Sequence, residues 1–282
     1  MPGRGRHSKI VRRLVIRPGG IGDCLLSLPA IEALRSDYLE VWVASQNVPL
    51  VRCADRVRSI AQTGLDWLGL PDREPPVSLI QLLRSFDSIV SWYGANRPEF
   101  RQAVSELGLP FQFLPALPTE PGLHAADYFL AQVGRGDLAG FPQLDCPRWQ
   151  GGFAVIHPFS GSARKNWPLE NFRALARWLE KLMPVAWCAG PQEPLADAVR
   201  IENLYELACW LAGARLYLGN DSGITHLAAA AGAPVVAIFL VTDPAVWAPR
   251  GERVRVVKGG DPADVMAAVT SLLACESLLP RQ

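Results

Sequence analysis

The stretch "GNDSGITHLAAAAGAPVVAIF", residues 219–239, predicts a strand end, a polar turn, an alanine-rich helix and a second strand. Asp221, Ser222, Thr225 and His226 are clustered where the helix begins. An Asn or Asp in such a turn accepts hydrogen bonds from the first N–H groups of the helix, and the Gly-Ala-Pro sequence that follows ends it. Capping uses only one or two polar residues. The remainder of the cluster therefore predicts a ligand at the start of the helix.

The same succession of strand and helix recurs along the chain. Short β-branched runs alternate with amphipathic stretches such as 168–182, and near-continuous apolar strands separated by helices predict parallel sheets covered on both faces. The predicted strands are 12–17, 40–44, 87–92, 152–158, 184–190, 214–220, 233–241 and 253–259.

Prolines are dense between about 108 and 150, where the alternation weakens. We therefore place a linker near 148, which divides the chain into α/β units at 1–148 and 149–282. A length of 282 residues is sufficient for two such domains. Each unit is expected to bind ligands at the carboxyl ends of its strands, facing a shared cleft.

Composition excludes several classes of function. The chain is 49% hydrophobic and 20% charged, and its net charge of +1 gives no electrostatic reason to expect nucleic acid as a partner. The longest apolar run, 227–241, is too short to span a bilayer and contains Gly and Pro. Neither H-E-x-x-H, nor D-x-D, nor a Cys/His ligand spacing occurs, so we expect no bound metal.

Cysteine usage and the basic N-terminal segment bear on location. The six cysteines are scattered without a C-x-x-C pair, which is typical of reduced thiols in a cytoplasmic protein. The segment 1–13 carries five cations and no acid, and we expect a solvated terminus. The alternative is a weak peripheral contact with anionic lipid at the inner face of the cytoplasmic membrane. The five cations are Arg4, Arg6, Lys9, Arg12 and Arg13.

A glycine-rich turn follows the first predicted strand, in "VIRPGGIGDCLLSLPAIEALR", residues 15–35. Gly20 and Gly22 permit a tight turn and close approach of a ligand, and a helix is expected to begin near Asp23. The plain interpretation of Asp23 is a helix cap, although a carboxylate is unexpected beside a phosphate. Pro29 is expected to break or kink this helix about a turn later.

A second polar loop lies in "IHPFSGSARKNWPLENF", residues 156–172. Ser160, Ser162 and Lys165 place hydroxyls and a cation just before a predicted helix, which suits a diphosphate; an ordinary solvated loop is the alternative. We expect His157 to be a satisfied structural histidine. The N–H groups at 222–224 would then form a second wall of the anion site.

Taken together, these segments resemble a known family. "GGIGDCLLSLPAIEALR", "HPFSGSARKNWPLENF", "CAGPQE", the 219–239 stretch and the later "TDPAVWAP" are similar to the ADP-heptose:lipopolysaccharide heptosyltransferases, glycosyltransferase family 9. The resemblance covers the C-terminal half nearly continuously and the N-terminal half mainly through 15–35. It implies a GT-B fold of two Rossmann-like, doubly wound domains. It also implies an inverting, metal-independent transferase that needs no cofactor.

The resemblance assigns roles to individual residues. Asp23 is similar to the catalytic carboxylate, in an acceptor-side N-terminal domain. Gly20, Gly22 and Ser162 are expected near the phosphates or the acceptor. Ser160 and Lys165 resemble residues that hold the donor's phosphates, and Glu193 resembles an acid that binds the nucleotide ribose. The implied donor site comprises Ser160, Lys165, Glu193, Asp221, Ser222, Gly223, Ile224 and His226.

The implied reaction moves a sugar, in the first instance heptose from ADP-heptose, to a lipopolysaccharide-type or other surface saccharide. Displacement at an anomeric carbon needs a base for the acceptor hydroxyl and stabilisation of the departing diphosphate. Asp23 suits the first task, while Lys165 and two helix N-termini suit the second. Two alternatives are a sugar-nucleotide epimerase or hydrolase of the same architecture and a non-catalytic nucleotide-binding protein.

Overall fold

The strands form two five-stranded sheets in the computed structural model, which describes residues 10–119, 122–147, 149 and 151–277. Every strand pair within these sheets is parallel, as the alternating pattern predicts. The strands in the described residues are β1 (Arg12–Arg17), β2 (Tyr38–Val43), β3 (Arg56–Ser59), β4 (Ser88–Ser91), β5 (Phe111–Phe113), β6 (Ala154–His157), β7 (Val185–Trp187), β8 (Leu216–Asn220), β9 (Val235–Phe239) and β10 (Val254–Lys258).

Helices connect most of these strands. The α-helices in the described part of the chain are α1 (Ile21–Ala33), α2 (Val77–Arg84), α3 (Pro98–Glu106), α4 (Ala125–Gln132), α5 (Leu169–Leu179), α6 (Leu204–Ala212), α7 (Gly223–Ala230), α8 (Pro244–Trp247) and α9 (Pro262–Ser277). None of them combines the length and the hydropathy needed to cross a membrane.

The first compact unit comprises residues 10–18 and Ile31–Leu117. Its strand order is β3-β2-β1-β4-β5, a doubly wound arrangement with β1 at the centre. The central strand is fully buried over its last four residues, and Leu14 and Ile16 contribute to a core with Trp42 and Phe100. The three consecutive apolar residues of β1, 14–16, are consistent with this burial on both faces.

The second unit comprises Gly19–Ala30 and the described residues between 118 and 277. Its strand order is β10-β9-β8-β6-β7, so the order reverses between β6 and β8. Ligands of open parallel sheets bind at such a reversal, beyond the carboxyl ends of the strands. Because His157 is in register with Gly219, and Asn220 with Ile238, the ends of β6, β8 and β9 are adjacent.

The core of the second unit is covered by α5, whose apolar residues lie three to four positions apart. Phe172, Leu175, Ala176 and Leu179 are buried on this stripe, while the opposite face of the helix is polar. The amphipathic prediction for 168–182 is thereby confirmed, with Pro168 at the N-cap.

Two strands escape prediction, and both lie at the edges of the first sheet. β3 is a half-exposed RVRS segment, and β5 has only three residues. Neither segment contains two consecutive apolar residues, as the other strands in the described residues do. α1 begins at Ile21, two residues earlier than expected, and continues through Pro29 to end one turn later.

The glycine-rich loop and the first turns of α1 share a unit with the motifs of the second half of the chain. The domain boundary near 148 stays a prediction. Arg4, Arg6 and Lys9 of the basic segment lie outside the described residues. The other two cations have roles in the fold: the Arg12 guanidinium lies 4.2 Å from the Tyr38 ring centroid, and Arg13 Nη1 donates to the Leu34 carbonyl at 2.7 Å.

Candidate functional site

A buried asparagine joins the ends of β6 and β8. Asn220 is fully buried, its Nδ2 donates to the Pro158 carbonyl at 2.8 Å, and its Oδ1 accepts from the Trp167 N–H at 2.8 Å. These two bonds hold the ends of the 158–167 loop against β8. Asn220 is therefore not the cap of the following helix, one of the roles that the sequence suggests for it.

The cap of α7 is Ser222. Its extended backbone precedes the first helical residue, and its Oγ accepts from the Thr225 N–H at 3.3 Å. The Thr225 hydroxyl donates to the Asn220 carbonyl and lies 3.2 Å from the Tyr217 hydroxyl. Thr225 is thus used within the fold, and the N-terminal turn of α7 is fixed by a buried network.

Glycines let the first turns of α1 and α7 touch. A methyl group at Gly223 would lie 2.7 Å from Ile21 Cβ, and one at Gly22 would lie 3.1 Å from His226 Cδ2. Neither separation leaves room for a side chain without movement of the neighbour. Two positive helix ends are consequently brought together within the second unit.

Asp23 lies at the third position of α1. Its Oδ2 accepts from the Gly20 N–H at 2.9 Å, and the Gly20 carbonyl accepts from the Cys24 N–H at 3.1 Å, so Gly20 is the N-cap. Asp23 thus supplies the reciprocal half of a capping box and is not the cap itself. Gly19 has a φ of +112°, and a Cβ there would lie 2.7 Å from Asp23 Oδ2. A side chain at position 19 would therefore collide with the partly exposed Asp23 carboxylate, so this position requires glycine.

An ion pair joins the 158–167 loop to the turn after β8. Lys165 Nζ lies 2.7 Å from Asp221 Oδ2, with exposed fractions of 30% and 8% for the two side chains. The Thr242 hydroxyl donates to the same oxygen of Asp221. Thr242 was not identified as a site residue from the sequence, although it opens the "TDPAVWAP" stretch that carries part of the resemblance.

The two serines of this loop, Ser160 and Ser162, make different hydrogen bonds. The Ser160 Oγ lies 2.8 Å from the Ser162 carbonyl and 2.7 Å from Asn166 Oδ1, so its hydroxyl stabilises the loop itself. Ser162 donates its N–H to Ser160 Oγ at 3.3 Å and is half-buried. Ser160 therefore stabilises the loop that carries Lys165.

His226 lies among the charged groups of the site. Burial lowers its pKa to about 4; the carboxylates of Asp221 and Asp23 oppose this shift, and the neighbouring His124 and Lys165 side chains reinforce it. The imidazole is therefore neutral near pH 7. Asp23, Lys165 and Asp221, which are far apart in the sequence, thus meet around one buried side chain.

Glu193 forms a second cluster with His157. Its Oε2 accepts from the Gly190 N–H at 2.6 Å and from His157 Nε2 at 3.1 Å. Burial alone would raise the pKa of this carboxyl, but these hydrogen bonds and the charge of Arg200 hold it below its usual value. His157 Nδ1 has no hydrogen-bond partner among the described protein groups. The expectation of a satisfied structural histidine therefore holds for Nε2 and not for Nδ1 within the described residues.

The described residues contain no group of three or more His, Cys, Asp or Glu side chains that could hold a metal ion. Ile224 and Gly223 are half-buried in the first turn of α7. The structure thus brings Gly20, Gly22, Asp23, Lys165, Asp221, Ser222, Gly223 and His226 into one region, with Glu193 held separately by His157.

A known protein family matches the segment that contains most of the candidate site residues. Residues 137–267 match the family model of glycosyltransferase family 9 (heptosyltransferase). That segment contains the predicted donor site, whereas Asp23 lies outside it. No curated protein sequence matches the chain.

Similar solved structures share the fold at low sequence identity. ADP-heptose lipopolysaccharide heptosyltransferase II of E. coli is 16% identical with a TM-score of 0.72, covering 95% of this chain and 100% of that one. E. coli heptosyltransferase WaaC with ADP is 18% identical with a TM-score of 0.64, covering 94% and 99%. The dodecameric iron-containing heptosyltransferase TibC with ADP-D-β-D-heptose is 15% identical with a TM-score of 0.59, covering 96% and 77%.

The matched segment includes most of the motifs that resemble this family. It spans "HPFSGSARKNWPLENF", "CAGPQE" and the 219–239 stretch, and the two parallel sheets have the architecture of the GT-B heptosyltransferases. The predictions of the fold class and of a glycosyltransferase are confirmed, and the family prediction is confirmed for residues 137–267, which form a glycosyltransferase family 9 domain.

Proposed function

We propose that this glycosyltransferase transfers heptose from ADP-heptose to a lipopolysaccharide-type or other surface saccharide, by an inverting, metal-independent reaction. The observation that carries the proposal is the meeting of α1 and α7 around His226, which brings Asp23 close to the Lys165–Asp221 pair. A base and an anion site are thereby close together, as glycosyl transfer requires.

In this proposal the donor's diphosphate lies against the N-terminal turn of α7 and Lys165. The N–H groups of 222–224 and the positive helix end suit an anion, and Lys165 is exposed enough to exchange its contact with Asp221 for a phosphate. Ser160 and Ser162 shape the loop between β6 and Lys165. The neutral His226 completes the polar lining. Glu193 binds the nucleotide ribose.

Asp23 is proposed as the general base. Its carboxylate is partly exposed and is held at Oδ2 by the Gly20 N–H, which orients it at the start of α1. A base that removes the acceptor proton while the hydroxyl attacks the anomeric carbon gives a single displacement, with inversion. The role of Gly20 and Gly22 is then to keep this turn free of side chains.

Metal independence rests on an alternative source of positive charge. Lys165 and the adjoining ends of α1 and α7 supply positive potential where the diphosphate leaves. The similar protein TibC is described as iron-containing, so a chelation experiment is the direct test of this part of the proposal.

The remaining parts concern domains and location. We assign acceptor binding to 1–148 and donor binding to 149–282, and we place the protein in the cytoplasm. Free thiols at Cys24, Cys53, Cys146, Cys188 and Cys209 suit a reducing compartment. Peripheral contact with the inner membrane stays a hypothesis, since most of the basic segment lies outside the described residues.

The test is an ADP-release assay on purified protein with ADP-heptose, run with and without a heptose-accepting lipopolysaccharide core. Release that requires the acceptor, with the sugar recovered on the glycan, is the expected result. Release without an acceptor would indicate a hydrolase, and conversion of the sugar without release an epimerase. Binding without turnover would indicate a nucleotide-binding protein.

A further inference from the structure

His157 is placed for a single hydrogen bond. It lies at the end of β6 with 2% of its surface exposed, and its Nε2 donates to Glu193 Oε2 at 3.1 Å. Its Nδ1 has no hydrogen-bond partner among the described protein groups. Burying an imidazole is unfavourable unless its polar atoms are paired, and within the described residues the bond to Glu193 is the only hydrogen bond that offsets the burial of this ring.

A second buried histidine in the same unit shows what a structural role looks like. His124 uses both ring nitrogens: Nδ1 accepts from the Ala126 N–H at 3.2 Å, which caps α4, and Nε2 donates to the Ala248 carbonyl at 2.8 Å. Both partners are backbone groups, so the His124 side chain links the start of α4 to the backbone at Ala248. His157, in contrast, contacts a side chain that is itself half-exposed.

The backbone around Glu193 is held by a different residue. The Arg200 guanidinium donates to three carbonyls of this loop, those of Gly190 at 3.1 Å, Glu193 at 2.9 Å and Leu195 at 2.7 Å. The path of the loop therefore does not depend on His157. What His157 adds is the orientation of the Glu193 carboxylate.

That carboxylate is held asymmetrically. Both hydrogen bonds to it, from the Gly190 N–H and from His157 Nε2, end on Oε2. Within the described residues Oε1 receives no hydrogen bond, which leaves it as the oxygen able to accept from a ligand. A carboxylate oxygen has two acceptor positions, enough for two neighbouring hydroxyls.

We propose that His157 is a positioning residue that orients Glu193, so that Oε1 accepts from the vicinal 2′- and 3′-hydroxyls of the nucleotide ribose. This inference rests on the proposed function, since it takes the ligand to be a nucleotide. Without His157, Glu193 retains its charge and its loop but samples other rotamers, and ordering it again on binding costs affinity. The phosphates, which bind elsewhere, are unaffected.

The test compares ADP with 2′,3′-dideoxy-ADP by calorimetry on the full chain. Wild type should bind ADP more tightly. His157→Leu should weaken ADP binding about tenfold and change dideoxy-ADP binding by less than about twofold. His157→Gln, which retains an N–H donor of similar reach, should restore most of the loss. His124→Leu is the matched control, and any loss it causes should be equal for the two nucleotides.

The outcomes separate this inference from the proposed function. Equal losses for ADP and dideoxy-ADP in a folded His157→Leu protein would show that His157 is merely structural, with nucleotide binding intact. A wild type that does not bind ADP, or that binds both nucleotides equally, would overturn the ribose site and the inference with it. In a Glu193→Ala background, His157→Leu should have almost no further effect on ADP affinity.

Discussion

The Asp23 carboxylate takes part in folding and, in the proposed function, in catalysis. Its hydrogen bond from the Gly20 N–H stabilises the first turn of α1, and a negative charge near a helix N-terminus adds a further favourable interaction. An asparagine can accept the same hydrogen bond but cannot take a proton. Substitution at this residue therefore separates the two roles.

Asp23→Asn should leave a folded protein that binds ADP-heptose but has lost turnover. The capping bond survives in the amide, and loss of the charge costs about 0.3–1 kcal/mol of stability. A positioned base contributes about 10²–10⁴-fold in rate, so turnover should fall by at least about 100-fold. Thermal unfolding, donor calorimetry and an ADP-release assay on the same preparation make the comparison. A variant that retains most of its turnover would leave Asp23 with capping alone.

His226 should make stability depend on pH in the mildly acidic range. Burial lowers its folded-state pKa to about 4, against about 6.5 when unfolded, with Asp221 and Asp23 opposing the shift and His124 and Lys165 reinforcing it. Between these values the unfolded state binds the proton and the folded state does not. Stability contributed by the neutral ring is therefore present above pH 6.5 and is lost as the pH falls towards 4.

The measurement is urea unfolding of wild type and His226→Gln at pH 7.5 and pH 4.5. Wild type should lose about 2–3 kcal/mol more than the variant on acidification, because glutamine does not titrate. The difference between the proteins is the relevant quantity, since Glu193 and Asp127, whose pKa values are also lowered, destabilise both at low pH. Parallel losses in the two proteins would contradict the assignment to His226.

The contact between α1 and α7 is the element on which the site depends. Ile21 and Gly223 touch where each helix begins, and this contact brings the capping turn of Asp23 beside the capped turn of Ser222. Two helices from distant parts of the sequence meet here because glycine leaves no Cβ between them. A side chain at this contact would separate the two helix ends.

Gly223→Ala should destabilise the protein and weaken ADP binding. The new methyl would lie 2.7 Å from Ile21 Cβ, and overpacking of this kind costs about 1–3 kcal/mol. Gly161→Ala is the control, because no atom lies within 4 Å of the methyl there and the backbone φ is unstrained. Chemical unfolding of both variants checks the prediction. A Gly223→Ala protein as stable as Gly161→Ala would mean that the helix starts are not in contact.

Prediction of the elements succeeds where a strand contains consecutive apolar residues. β1 is predicted to the residue, and the predicted segments for β6, β8 and β9 contain the observed strands, because sheets covered on both faces need such runs. β3 and β5 are missed because β3 is a half-exposed segment with a single apolar residue and β5 has only three residues.

At the scale of the whole molecule, the proposed function requires a source of positive charge for the departing diphosphate. Activity should survive dialysis against EDTA, because Lys165 and two helix ends are proposed to supply the positive potential. The measurement is ADP release before and after chelation, with metal content determined alongside. Loss of activity that iron, magnesium or manganese restores would replace the metal-independent mechanism with a metal-assisted one.

The sequence by itself determined the alternation of strands and helices, the resemblance to the glycosyltransferase family and the polar motifs that carry this resemblance. These properties depend on local pattern: apolar runs, glycine turns, and polar residues beside a helix start. The sequence shows Asn220 as a polar residue just before α7. It does not show whether this side chain caps α7 or holds the 158–167 loop, because the bonding partners are distant in the sequence.

Only the tertiary structure decided which of these residues meet. Thr242 reaches Asp221 from 21 positions away, and His157 reaches Glu193 from 36, because parallel strands bring their carboxyl ends to one edge of the sheet. The neutrality of His226 likewise follows from burial among charges supplied by separate segments. Long-range proximity and desolvation belong to the folded chain, and neither leaves a signal at one position of the sequence.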